Sequence, residues 1–510
     1  MSGYFSDNRI EASHGRRSLR SGAVVIFARS LTALIQVGSV LFLARLLSPE
    51  DYGLVSMVSA LTGYAPLLIS LGTLDAVVQR ARIEEKEISA LFWINVALGC
   101  GLALLMVACS PLIARFYGEP RLTMIAVVSA LTFVASALTC QHYALLRRAM
   151  KFQELAAMEV AANLLSAVSA ITMAFYGFGY WALVLRPLIM YFLLAIGVWL
   201  RCRWLPPKPA MTAGVKEMLK IGLGITGFTI TDFVGRSSDR IAIGYRSGAI
   251  ALGYYQNAIF IYENLLDVLV GPSHGVAVAS LSKAQDDLTE LRRLWGKAVS
   301  TLEFYVMPAF GILAVTSQDV VVLLLGAKWS SAGFLLSILA LRGIPHTVER
   351  CMGWLHVSSG RTDRWMRWGV ASTCLQLLAL FCGLPFGPTG VTIAYVVCMF
   401  IIFIPAIAYA GRPLGIGAKD AITVVWRPMA GSLLAAASGF ALRYTLLADS
   451  SSIVRTVVLA LAYVAVYVVA VVGILRVRTP IAVVLALARD FLPVRFGRFV
   501  RTPRFFERHD

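Results

Sequence analysis

The first long apolar run of this 510-residue chain carries one arginine, Arg29, with Gln36 two turns further along the same helical face. Its guanidinium is a planar, permanently charged fork that can hold an anion through two parallel N–H donors. Later in the chain Asp232, Arg236, Asp239 and Arg240 recur at i, i+4, i+7 and i+8, which is one face of a helix. These four charges either neutralise one another as a structural stripe or form a wall whose arginines exchange carboxylates for another anion. The next apolar run holds Glu263 and Asp267 one turn apart, a pair that could bind a proton or Na⁺ or simply receive a neighbouring arginine. A further face carries Arg342, His346, Glu349 and Arg350 beside Pro345. His346 next to Glu349 could take up and release a proton near neutral pH, or serve only as a polar contact. Arg186 completes the set of isolated bases.

Enzyme chemistry finds little footing here. No glycine-rich phosphate loop or Walker motif is present, so direct driving by ATP is not expected. The eight cysteines form no C-x-x-C and no histidine-paired spacing, so neither a disulfide frame nor a metal site is expected.

The elements that must position these charges follow from composition. Hydrophobic residues make up 58% of the chain and charged residues 15%, and the mean hydropathy is +0.75. Soluble domains are nearer half apolar and a quarter charged, and no globular interior could hide this excess. The chain therefore reads as an all-α, polytopic membrane protein. Apolar runs fall at about 22 to 44, 53 to 78, 89 to 110, 121 to 146, 155 to 176, 180 to 200, 219 to 245 and 249 to 271. They continue at about 298 to 317, 331 to 357, 368 to 386, 389 to 410, 428 to 447 and 453 to 475, giving about fourteen spans. If the first helix starts near Gly22, Arg29 sits about 10 Å deep. A side chain snorkelling to the boundary is the alternative for that residue.

Of the 46 lysines and arginines, about 33 fall in breaks on the side of the N-terminus, about 7 on the other side and about 6 within spans. Both termini are expected in the cytoplasm, and most of the net charge of +18 serves topology. A nucleic-acid reader is thereby excluded, because the basic residues form no single patch. The tail from Arg476 interleaves arginines with Phe491, Phe496 and Phe499, as expected either of a segment lying on an anionic inner leaflet or of a disordered basic tail.

An internal repeat appears at an offset of 200: LRSGAVVIFARSLTALIQVGSVLFLARLLSPEDYGL from Leu19 aligns with LKIGLGITGFTITDFVGRSSDRIAIGYRSGAIALGY from Leu219, pairing Gly22 with Gly222 and Gly53 with Gly253. Two further echoes pair LIARFYGEPRL with VVLLLGAKWSSAG, and LLRRAMKF with SSGRTDRWMRW. Six helices repeated in one orientation plus two more is a pattern of transporters built from parallel halves. The expected organisation is a cytoplasmic segment 1–20, an N-lobe 21–200, a linker 201–218, a C-lobe 219–410, two extra helices in 411–475 and a basic tail 476–510.

The opening block through LSPEDYGL, then ALLRRAMKF, GFGYWALVLRPL and DRIAIGYRSGAIALGYY, resembles the Wzx-type polysaccharide transporters of the multidrug/oligosaccharidyl-lipid/polysaccharide flippase superfamily. The resemblance spans about residues 16 to 476. It implies two six-helix lobes around a cavity that passes undecaprenyl-diphosphate-linked oligosaccharide from the cytoplasmic to the periplasmic leaflet of the bacterial inner membrane. It further implies that the first-helix arginine, here Arg29, faces that cavity and is needed for transport. Arg29, Gln36, Arg186, Arg236, Arg240, Arg342 and Arg350 are then the expected cargo contacts, and Asp232, Asp239, Glu263, Asp267, His346 and Glu349 the expected sites of H⁺ or Na⁺ coupling. A monomer is expected, in contact with membrane lipids and associated with polymerase or export machinery. A peptidoglycan-precursor flippase and a multidrug exporter of the same superfamily are the alternatives. A membrane glycan polymerase or ligase would need a large external loop, and none is present.

The charge asymmetry fixes a first test. Reporter fusions made after Lys208 or at the C-terminus are expected to read as cytoplasmic and fusions after Pro49 or Lys328 as external. A periplasmic C-terminus would remove the fourteen-span scheme.

Overall fold

A computed structural model describes residues 15–80, 83–209, 213–285 and 287–477. The N-terminal segment and the basic tail from 478 lie outside these residues, as do the side chains of Asp75, Gln79 and Asp232. Among the described residues there is no strand, and eleven helical stretches are long and apolar enough to cross a membrane. Two of them, Phe233–Lys283 and Asp363–Leu414, are long enough to cross twice. The chain is a multi-pass membrane protein.

The chain divides into two compact units, residues 1–256 and 257–510. In the first, α1 (Gly15–Leu46) is followed by α2 (Pro49–Thr62), α3 (Ala65–Ser70), α4 (Thr73–Gln79), α5 (Glu85–Tyr117), α6 (Arg121–Arg148), α7 (Phe152–Phe175) and α8 (Trp181–Cys202). α9 (Ala213–Lys283) contributes to both units and turns a corner at Gly248, whose φ of 78° is open to glycine at no steric cost. The second unit continues with α10 (Leu288–Leu325), α11 (Ser330–Ser358), α12 (Thr362–Gly383), α13 (Gly387–Gly411), α14 (Ala418–Thr445) and α15 (Ser452–Val468), the last extended by a π-helical stretch, Val469–Ile474.

Local chemistry sets the helix ends. Within LSPEDYGL, Ser48 caps α2: its hydroxyl accepts from the Asp51 amide at 3.2 Å, and the Asp51 carboxylate accepts from the Ser48 amide at 2.8 Å. Pro49 occupies the first helical position, where a missing N–H costs nothing. The motif is thus a helix start. The run 53–78, expected as one helix, is instead broken into three. Pro66 has no N–H to continue the ladder to the Thr62 carbonyl, and Leu71 and Gly72 are both left-handed, with φ of 44° and 65°.

The stretch between α8 and α9 is laced to α5. Trp204, 2% exposed, donates its indole N–H to Glu85 at 2.9 Å, while Ser89 and Trp93 both donate to the Pro207 carbonyl. Val215 and Met218 join Ile88, Leu91, Leu145 and Trp204 in one buried cluster.

The repeat has a geometric counterpart inside the first unit. A Cβ on Gly53 would overlap the Ala249 carbonyl, and a Cβ on Gly253 would overlap the Pro49 carbonyl. Positions 49 and 249, and 53 and 253, are repeat partners, so the two helix corners grip one another reciprocally. The third echo is equally literal: Ala149, Met150 and Lys151 donate their amides to Leu145, Arg147 and Leu146, and Ser359, Gly360 and Arg361 donate theirs to Leu355, Val357 and His356. The left-handed position is Met150 (φ 57°) in the first copy and Gly360 (φ 66°) in the second.

These contacts predict opposite signs for one substitution. Gly53→Ala or Gly253→Ala, which drives a methyl into backbone, should cost about 1–3 kcal/mol. Gly38→Ala, where nothing lies within 4 Å of the added Cβ, should be neutral or stabilising by up to about 1 kcal/mol. Thermal unfolding of the purified protein in detergent ranks the three.

Candidate functional site

In the first unit three intramembrane arginines, Arg29, Arg186 and Arg240, have a guanidinium with no carboxylate partner among the described residues. Arg29, exposed on α1, lies within electrostatic reach of Tyr143 on α6. The Tyr143 hydroxyl donates to Glu159 on α7 at 2.6 Å. Arg186, half-buried on α8, lies near Tyr52 of α2. Since Tyr143 is near the end of α6 and Tyr52 near the start of α2, the two bases stand at different depths of the unit. Gln36 is exposed on α1, and Arg236 on α9. Asp239 is buried and accepts from Tyr255 at 2.7 Å, while Arg240 has a buried Nε that meets no acceptor among the described residues. Gln141 and His142 turn into packed interior: the Gln141 amide donates to Thr73 at 3.2 Å, and the His142 ring stacks on Trp199 at 4.2 Å. His142 must donate from Nε2 to the Trp204 carbonyl, 3.0 Å away, because a carbonyl only accepts.

In the second unit the expected face of the tenth span is brought against the later arm of α9. His346 shares a hydrogen bond with Tyr262 at 2.8 Å, and Arg350 pairs with Asp267 at 2.7 Å. The Arg342 guanidinium lies 5.9 Å from the Tyr262 ring and 5.7 Å from the Tyr395 ring, within cation–π range of both. Glu263 and Glu349 are half-buried on these helices. The result is a polar seam of alternating bases, acids and tyrosines along α9, α11 and α13.

Two features sit where sequence reading saw only apolar runs. Asp319 on α10, 2% exposed, holds two arginines at once, Arg443 of α14 at 2.8 Å and Arg455 of α15 at 2.7 Å. Arg443 also donates to the Val315 carbonyl and Gln318, and Arg455 to the Ala448 carbonyl. Asp319 lies just past the end assigned to its run, and Arg443 near the end of another, and no sequence signal pairs them. The second feature, Glu303 on α10, is fully buried. Among the described residues no group of three or more histidines, cysteines or carboxylates could hold a metal ion.

The described residues form a multi-pass helical assembly with no strand and with isolated charges inside the spans. The fold is shared with a solved structure: the lipid II flippase MurJ in an inward closed conformation superposes with a TM-score of 0.68 at 16% identity, over 88% of this chain and 99% of its own. The polysaccharide biosynthesis protein family matches residues 42–333, more than half of the chain, and the chain belongs to it. Among its relatives, the lipopolysaccharide biosynthesis protein WzxC of Escherichia coli (strain K12) is 25% identical over 403 residues, 77% of this chain and 80% of WzxC. The succinoglycan biosynthesis transport protein ExoT of Rhizobium meliloti (strain 1021) is 25% identical over 320 residues, 62% of this chain and 64% of ExoT.

The two ion-paired aspartates of the second unit should behave differently. Asp319→Ala leaves the buried Arg443 and the half-buried Arg455 without their shared carboxylate and should cost about 3–5 kcal/mol, whereas Asp267→Ala, at a side chain 65% exposed, should cost about 1 kcal/mol or less. Thermal unfolding in detergent separates them, and equal losses would mean that Asp319 is not the anchor its geometry makes it.

Proposed function

We propose that the chain flips undecaprenyl-diphosphate-linked oligosaccharide, a repeat unit of a surface polysaccharide, from the cytoplasmic to the periplasmic leaflet of the inner membrane by alternating access. The observation that carries this reading is that Arg29 and Arg186, both without a carboxylate partner among the described residues, stand at two depths of one unit. A charged side chain within a span costs a few kcal/mol or more, and a structural role would normally come with a counter-ion. An anionic cargo supplies one. Arg29 receives the diphosphate near the cytoplasmic boundary, and Arg186 holds it on the far side, each through the bidentate fork that suits phosphate oxygens. The seam of Arg342, His346 and Arg350 with Tyr262 and Tyr395 offers hydrogen bonds and stacking faces to the sugars.

This reading takes fourteen crossings with both termini cytoplasmic, in keeping with the distribution of lysine and arginine. The chain works as a monomer beside the polymerase or export machinery that consumes its product. A proton or Na⁺ gradient drives it, with Asp239, Glu263, Asp267, His346 and Glu349 among the acids and the histidine available for coupling. The relatives named for lipopolysaccharide and succinoglycan biosynthesis support a polysaccharide precursor as cargo.

Arg29→Ala and Arg186→Ala are each expected to abolish export while the protein remains at normal abundance in the membrane, and Arg29→Lys to recover only part of it, because an ammonium lacks the planar fork. Export is read as surface polysaccharide, together with the lipid-linked intermediate that accumulates on depletion. Full export by Arg29→Ala would reduce the residue to a snorkelling anchor. Accumulation of a peptidoglycan precursor instead would reassign the cargo.

A further inference from the structure

Glu303 lies in α10 with no exposed surface, and neither carboxyl oxygen has a hydrogen-bond partner among the described residues. Among the described residues, the titratable groups within electrostatic reach are Cys351 of α11, Tyr305 on its own helix and Tyr467 of α15. Tyr463 lies one turn from Tyr467 on α15 and shares a hydrogen bond with Ser432 of α14. On α9, the Ser273 hydroxyl meets Tyr305, and the neighbouring His274 ring accepts from Trp354. None of these is a cation that could balance a carboxylate. An ionised carboxylate left unpaired in such a place is costly enough that the group takes up a proton instead.

The backbone around this acid is poised to yield. Pro308 has no N–H, so the Phe304 carbonyl loses its bond within α10, and the Tyr467 hydroxyl supplies one at 2.9 Å. Two residues past Tyr467, α15 passes into its π-helical stretch, Val469–Ile474, a departure from regular geometry of the kind often found at functional sites. A proline-weakened turn of one helix and an irregular turn of another therefore meet at one tyrosine, beside an unpaired acid.

We propose that Glu303 is a proton-binding site that latches α10 to α15. With its proton on, the neutral carboxyl stays packed in the seam. When the seam parts at the Pro308 turn and water enters, the O–H bond breaks, the proton passes to water and the carboxylate is solvated; re-protonation from water on the other side lets the seam close. Coupling of this cycle to cargo rests on the flippase reading, whereas occupancy of the site does not.

The test uses the full chain. Purified protein at neutral pH should show the infrared C=O absorption of a protonated carboxyl that Glu303→Gln removes and Glu303→Asp shifts. In cells, Glu303→Gln should accumulate normally yet lose most export together with its response to an imposed pH gradient, while Glu303→Asp retains part of both. If neither variant changes the carboxyl absorption, Glu303 is ionised and the latch is wrong. If Glu303→Gln exports with the wild-type pH response, the carboxyl is only packing. Should Glu303→Gln fail to accumulate, the Glu303→Asp spectrum still decides whether the site carries a proton. Failure of the flippase reading would show instead as surface polysaccharide and lipid-linked intermediates unchanged when the protein is depleted, with the Glu303 absorption unaffected.

Discussion

A charge inside a bilayer must be paired, wetted or neutralised, and the polar architecture of this chain follows from that rule. Asp319 is paired twice over, by Arg443 and Arg455. Asp239 is held by a tyrosine hydroxyl, and Asp267 by Arg350. Once these residues are set aside, groups without a counter-ion among the described residues stand out, Arg29 and Arg186 in the first unit and Glu303 in the second among them. Function is proposed at each of them because packing alone offers no reason to keep them. The same rule assigns Asp319, with Arg443 and Arg455, to structure. His142, a titratable residue by type, is enclosed by Trp199, Trp204 and Phe92.

The knot at Asp319 also shows how α14 and α15 are joined to the second unit. Besides the apolar cluster of Val315, Leu459, Tyr463 and Tyr467, one carboxylate ties α10 to both helices. A short chain of hydroxyls, Ser432 with Tyr463, continues the connection deeper along α10. The pair of helices is therefore bound by directional contacts at one end and, through α15, by the Tyr467 bond at the Pro308 turn further along, where α10 lacks a ladder bond and α15 passes into its π-helical stretch.

Much of the fold was legible because length and hydropathy nearly determine a membrane helix. The run 121–146 became Arg121–Arg148, and the run 155–176 became Phe152–Phe175. The repeat was visible from a few glycines and basic residues whose geometry the structure supplies. What stayed hidden depends on contacts distant in sequence. No local pattern shows that Leu71 turns left-handed, that Trp204 is inserted against α5, or that Asp319 and Arg443 meet across more than a hundred residues. At the candidate site, the helical faces were readable from spacing, so His346 and Arg350 were found together with Arg342. Their partners Tyr262 and Tyr395 were not, since a tyrosine in an apolar run gives no sign of being a hydrogen-bond or cation–π partner. Glu303 escaped notice for a related reason: it is one acid in a run that otherwise reads as core.

The reciprocal fit of Gly53 on Ala249 and Gly253 on Pro49 has the form of an isologous interface, in which residue i meets residue j and j meets i, as in a two-fold homodimer. Here both faces belong to one polypeptide. A chain with only one copy of the repeat would need a second molecule to complete this contact, and joining the copies turns an association that depends on concentration into one fixed by connectivity. The two corners are consequently bound to a common history: a side chain gained at either glycine meets the same carbonyl in the other copy, so neither half is free to drift there alone.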